Sequence, residues 1–156
     1  MYDLIAMDSK VPFLVARVSL ETILALRHQV LRPELPISSA SFEGDESPET
    51  WHIVLTQKPD WEAICCASFM KRPVRSIEAW QLRGIATHPH YQRQGWGRIL
   101  LSNAEQKITS ETFLRRFWCN ARCSAIPFYE GMGWKTTGPE FDIPGVGPHR
   151  EMVKII

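Results

Sequence analysis

Apolar residues fall mostly into short runs between turn residues, the pattern of strands, with helical spacing in three places. Val11–Val18 predicts a first strand. Ser19 is placed to cap a helix over 20–31, where Leu20, Ile23, Leu24, Val30 and Leu31 lie near one face, and Arg32-Pro33 stops it. Residues 33–50 carry Pro33, Pro36, Gly44, Pro48 and five acidic side chains, which predicts a loop. Trp51–Gln57 and Glu62–Met70 predict a hairpin turned at Lys58-Pro59-Asp60. After a break at Lys71–Ser76, Glu78–Thr87 predicts another strand.

His88–Gln94 is a loop, and 95–109 is a helix with Ile99, Leu100, Ala104 and Ile108 on its apolar stripe. Phe113–Asn120 is a strand. Ser124–Met132 is a short helix that tolerates Pro127 in its first turn and can end through a left-handed Gly131 or Gly133. Trp134–Phe141 and Arg150–Ile156 are the last strands, separated by the Pro/Gly-rich Ile143–Pro148. No repeat or linker interrupts the order. It predicts a single α/β or α+β domain over 1–156 with a mixed sheet.

Composition changes this picture little. At 156 residues, 44% hydrophobic and 22% charged, the chain fits one soluble domain of ordinary size. A net charge of +1 gives no polyelectrolyte signature for nucleic acid. The charge is uneven: residues 1–60 hold five Lys/Arg against nine Asp/Glu, and 71–122 hold ten against three. A basic middle suits a small polyanion. Arg72, Arg75, Arg115 and Arg116 lack the aromatic ladder of a nucleic-acid surface. Cys65, Cys66, Cys119 and Cys123 form no C-x-x-C pair and predict reduced thiols. There is no signal-peptide pattern and no apolar stretch near the roughly 20 residues that cross a bilayer, so a cytoplasmic protein without a membrane partner is expected.

The candidate chemistry starts at Gln92-Arg93-Gln94-Gly95-Trp96-Gly97. A strand ending at Thr87, a loop and a helix opening at Gly95 make an anion site, because the first helical amides lack partners and the helix dipole adds positive charge there. Gly95 and Gly97 admit close backbone approach, and Arg93 and Arg98 add full charges. Neither G-x-x-x-x-G-K-[ST] nor G-x-G-x-x-G occurs, which excludes a P-loop and argues against a dinucleotide fold.

Leu82-Arg83-Gly84-Ile85-Ala86-Thr87-His88-Pro89-His90-Tyr91-Gln92-Arg93-Gln94-Gly95-Trp96-Gly97 resembles the GNAT superfamily of acyl-CoA-dependent N-acyltransferases. Its signature is a strand, then x-P-x-x-[QR]-x-x-G-x-[GA], then a helix; Gln92, Gly95 and Gly97 fill the marked positions. Ala125-Ile126-Pro127-Phe128-Tyr129-Glu130-Gly131-Met132-Gly133-Trp134 resembles the second landmark, A-x-x-F-Y-x-x-x-G-F. The likeness spans about 50–156, and the tail Phe141–Met152 looks like the ElaA-like and related small bacterial branches. Thr87 and Trp134 are mild departures. Arg122 stands where the family often has an Asn that contacts pantetheine.

The resemblance implies a mostly antiparallel sheet of about seven strands flanked by about four helices. It implies acetyl-CoA as acyl donor, without a metal, and an amine acceptor that is a small molecule or peptide. Family members are often homodimers. Gln92–Arg98 would hold the pyrophosphate, with Arg122 and Phe128 nearby. Ile85, Ala86 and Thr87 would supply backbone contacts beside a strand bulge. Tyr129 would be the acid toward the leaving thiolate.

The attacking amine must be neutral, and a free alkylamine near pKa 10 is mostly charged at pH 7. Glu78 is the first candidate base, with His149 and His88 next. His88-Pro89-His90 lacks the further ligands of a zinc site. The acceptor pocket is expected from Arg27–Pro36, Glu43–Glu49 and Phe141–His149. The acidic loop hints at a cationic acceptor or is simply solvated. The alternative from another class is a non-catalytic acyl-CoA sensor that keeps the cofactor loop.

Overall fold

A computed structural model describes residues 3–8, 10, 13–58 and 61–156. Among the described residues there are eight strands, β1 (Asp3–Asp8), β2 (Phe13–Val18), β3 (Trp51–Gln57), β4 (Glu62–Lys71), β5 (Trp80–Thr87), β6 (Arg116–Arg122), β7 (Lys135–Ile143) and β8 (Gly147–Ile155). They join edge to edge in one sheet in the order β1-β2-β3-β4-β5-β6-β8-β7. Three α-helices accompany them among the described residues: α1 (Leu20–Leu31), α2 (Trp96–Glu111) and α3 (Ile126–Glu130). Every neighbouring pair is antiparallel except β5 and β6.

The α+β class is as expected, and the counts shift to eight strands and three α-helices. The added strand is β1, an edge strand whose short apolar run Leu4-Ile5-Ala6-Met7 lacks the alternation of a half-buried strand, and whose Leu4 and Met7 are exposed. Val11 and Pro12, at the start of the anticipated first strand, and Pro59 and Asp60, in the anticipated hairpin turn, lie outside the described residues.

Other boundaries move for local reasons. Glu78 precedes β5 instead of lying in it, because Val74 and Ile77 close a tight turn with Arg75 and Ser76 at positive φ. Phe113 is 99% exposed, and β6 begins three residues after it. The segment anticipated as one helix from Ser124 is a 3-10 turn, Cys123–Ala125, followed by α3; Gly133 is left-handed after it, and Gly131 is not. Ser19 occupies the N-cap of α1 without a capping bond from its side chain.

Alternation along the strands builds two apolar layers. Ile53, Leu55, Cys65, Ala67, Phe69, Trp80 and Leu82 face α2, which lays Leu100, Leu101, Ala104 and Ile108 on them. Val54, Cys66 and Ala86 face α1 through Ile23 and Leu26. β4 is buried on both faces, which is why it reads as one apolar run.

Leu82 and Ala86 are four residues apart and would share a face in a regular strand, yet they belong to opposite layers. A bulge explains it: Cys66 pairs with Ala86 and Ser68 with Arg83, so Gly84 and Ile85 stand opposite Ala67 alone. Gly84 has φ +62, and a Cβ there would lie 2.7 Å from Arg27 Nε.

Arg27 is fully buried behind the bulge. It pairs with Asp45 and donates to Ala40 O and Ser68 Oγ. Ser68 thus has its own proton for His52 Nδ1, and His52 Nε2 donates to Asp45 O at 2.8 Å. This chain of bonds ties the acidic 33–50 segment to β3 and β4, so Asp45 is an internal partner and not a solvated charge.

Candidate active site

β5 and β6 pair only at Trp80–Phe117 and Gln81–Trp118, then separate. The bulge at Gly84–Ile85 lies just beyond the last paired residue, so the edge of β5 that faces β6 is left without a strand partner. A cavity of about 520 Å³ occupies this splay. It reaches both faces of the sheet: the end of α1 and Phe42 line one side, and Ala125 and Tyr129 line the other.

Tyr129 is buried at 4% exposure, with ring centroids 5.1 Å from Phe128 and 5.4 Å from Trp134. Burial pushes its phenol well above the usual value, and the adjacent Cys119 thiol pushes the same way. The hydroxyl therefore stays protonated, and is a donor, across the neutral range. Burial also pushes the Cys119 thiol up, to about 12, which makes it a poor nucleophile.

His149 reaches the cavity from β8, buried and stacked on Phe141. Its Nδ1 lies 2.8 Å from Gly147 O. A carbonyl only accepts, so Nδ1 carries the proton and Nε2 of the neutral ring keeps a lone pair. Glu78 is exposed and outside the cavity lining. His88 is also outside it; its Nδ1 accepts from His90 N, and its ring lies edge-on to His90 and Tyr91. Of the three candidate bases, His149 alone lines the cavity that Tyr129 also lines. Among the described residues no group of three His, Cys, Asp or Glu side chains is arranged for a metal.

The anion loop stands at the other end of β5. Gln92 Nε2 donates to Thr87 O, and Gln94 Nε2 to His90 O, so both side chains shape the loop. Arg93 is exposed at φ 60. Gly95 caps α2 at φ 86, with open space where a Cβ would be. Gly97 packs on Phe128, whose ring is 3.5 Å from a Cβ built there, with Thr87 Oγ1 at 3.8 Å. Arg98 Nη1 donates to Gly131 O and ties α2 to the end of α3.

Trp96 points into the core against Phe13, leaving only its backbone at the helix end to serve a ligand. Ile85 and Arg122 line the cavity, Arg122 from its exposed rim; Ala86 is buried beneath α1, so its main chain alone is offered. A glycine-opened helix terminus followed along β5 by an unpaired strand edge fits coenzyme A: the helix end suits a pyrophosphate, and the edge suits the amides of a pantetheine arm.

The chain matches the family model for the acetyltransferase (GNAT) domain over residues 66–155, more than half its length. The chain belongs to the GNAT family of N-acetyltransferases. An uncharacterized N-acetyltransferase of Bacillus subtilis (strain 168), YitI, is 33% identical over 143 residues, covering 91% of this chain and 95% of the relative. The crystal structure of Escherichia coli ElaA superposes with a TM-score of 0.73 at 16% identity, covering 91% of this chain and 97% of ElaA. An aminoglycoside 6'-N-acetyltransferase complexed with coenzyme A gives 0.69 at 16% identity, covering 90% of this chain and 96% of that one. These two likenesses are of fold.

Within this GNAT frame, several cavity residues lie outside the marked signature positions. Arg32, Phe42, Arg72, Gln81, Arg83 and Trp118 all line the cavity. Two of the anticipated acceptor segments arrive there, through Leu31 and Arg32 and through Ile143, Val146 and His149; the Glu43–Glu49 segment does not line it. Trp51 and Trp80 are core, while Trp118 is a wall. One signal was available for Gln81: a polar residue between Trp80 and Leu82 in an otherwise apolar strand start.

Proposed function

We propose that residues 1–156 act as one catalytic domain that moves an acetyl group from acetyl-CoA to a primary amine of a small molecule or peptide. The observation that carries this reading is a single cavity, in the β5–β6 splay, onto which both Tyr129 and His149 open. The α2 terminus at Gly95–Arg98, with Arg93 beside it, would hold the pyrophosphate, and the free edge of β5 at Ile85–Thr87 the pantetheine arm. Phe128 braces Gly97 against α3. Arg122 is placed at the rim between loop and cavity for a further polar contact.

Bound acetyl-CoA would supply an activated acetyl thioester. His149 Nε2 takes the proton that the amine sheds as its nitrogen bonds to the acyl carbon and the carbon–sulfur bond breaks. Tyr129 Oη, held protonated by burial, donates a hydrogen bond to the departing sulfur. The proton on His149 then passes through solvent to the thiolate, which restores the base. Glu78 takes no part in this scheme, because it stands outside the cavity.

His149→Gln tests the assignment. It should lower kcat/KM by roughly 10- to 100-fold, with coenzyme A binding retained by calorimetry. Unchanged kcat/KM would return the search to another base.

A further inference from the structure

The α1 side of the cavity is a wall of cations. Arg32, Arg72 and Arg83 all line it, and among the described residues no Asp or Glu does. Among the described residues none of these three forms an ion pair with a carboxylate. The acids nearest Arg83 are Glu43 and Asp45; Asp45 is taken up by Arg27, and neither lines the cavity.

The wall is built, not accidental. The Arg83 guanidinium stacks 4.8 Å from the Phe42 ring centroid and Arg32 lies 5.9 Å from it, while buried Arg27 holds a third position at 4.4 Å. Arg72 is fixed through its backbone, whose oxygen accepts from Trp118 Nε1 and whose amide donates to Ala79 O. Burial first, then the facing charge of Arg72, pushes Arg83 below its usual value, and Asp45 and Glu43 offset this only in part. Gln81, at 5% exposure, lines the same cavity, and among the described residues its buried Oε1 has no hydrogen-bond partner, which leaves it an acceptor to be satisfied by a small shift of the side chain toward a ligand donor.

Resting on the acetyltransferase reading, we infer that the acceptor is a small amine that also carries an anionic group, a carboxylate or a phosphate. The anion lies against Arg83, Arg72 and Arg32, and Gln81 Oε1 accepts from the amine end. Planar guanidinium forks match the oxygens of either anion and give the site both charge and direction. In the acidic 33–50 segment Asp45 and Glu49 are engaged by Arg27 and Lys71, and none of its described carboxylates lines the cavity.

The test pairs acceptors by charge in a thiol-release assay with acetyl-CoA: an amino acid against its carboxamide, 2-aminoethyl phosphate against ethanolamine, and putrescine as a cationic amine. In at least one pair the anionic member should exceed its neutral partner by roughly ten- to a hundredfold in kcat/KM. Which pair shows it names the anion. Arg83→Gln and, separately, Arg72→Gln should raise KM for that acceptor by a similar factor, and thermal melts report whether each variant folds. Preference for putrescine or for the neutral partners overturns the inference and leaves the acetyltransferase reading standing. If no amine releases thiol, the enzyme reading fails, and the anion site is judged by calorimetry on coenzyme A-saturated protein. Binding of the amino acid or 2-aminoethyl phosphate that Arg83→Gln abolishes then supports it, and no binding overturns it.

Discussion

The two faces of the sheet solve different problems with different materials. On the α2 face the anion site is made of backbone: consecutive residues from Gln92 to Arg98, a left-handed Gly95 and the free amides of a helix start. On the α1 face the site is made of side chains from segments far apart in the chain, held by the buried Arg27–Asp45–His52–Ser68 network. On the proposed reading, local backbone would hold the part common to acyl donors, and converging side chains the part that distinguishes one acceptor from another.

The contrast predicts where each face breaks. The largest effect is expected from Asp45→Ala, which leaves Arg27 charged and buried without its partner; it should cost about 3–5 kcal/mol in denaturant unfolding. A cost below 1 kcal/mol would mean the α1 face is not braced by this pair. Next comes Tyr129→Phe, which should lower turnover roughly 10- to 100-fold with coenzyme A affinity little changed. Full activity in that variant removes Tyr129 from the chemistry.

Gly95→Ala is smaller. No atom lies within 4 Å of the added methyl, so only left-handed strain remains, about 1 kcal/mol of stability by thermal melt, with a few-fold loss of coenzyme A affinity. The smallest effect is on pH. Burial pushes His52 below its usual 6.5, although its bond to Asp45 opposes this. The folded state therefore binds its proton less readily than the unfolded chain, and stability present above about pH 6.5 should be lost as the pH falls below it. His52→Gln should blunt that acid loss in melting curves.

The same contrast explains what the sequence disclosed. The cofactor loop was legible because a helix N-terminus, its glycines and its cations are neighbours in the chain, and Tyr129 was legible through a second local motif. The order of elements followed from the apolar pattern, apart from β1, whose four-residue apolar run Leu4–Met7 does not alternate.

The acceptor side was not legible, because Arg32, Phe42, Arg72 and Arg83 come together only through the fold. Glu78 would suit a base if β5 extended to it. The strand starts two residues later, at Trp80, and leaves Glu78 exposed just after the Val74–Ile77 turn. Gly84 carried a usable hint, since a glycine inside a strand often marks a bulge. What it could not show is Arg27 pressed against it from α1.

The central claim is that the β5–β6 splay performs acyl transfer, and the most direct measurement is thiol release from acetyl-CoA by the wild-type protein across an amine panel, with mass spectrometry of the amines. The account predicts that at least one amine stimulates release and gains the mass of one acetyl group, and that Tyr129→Phe slows both together. Tight coenzyme A binding with no release on any amine would contradict it and identify a sensor in place of an enzyme.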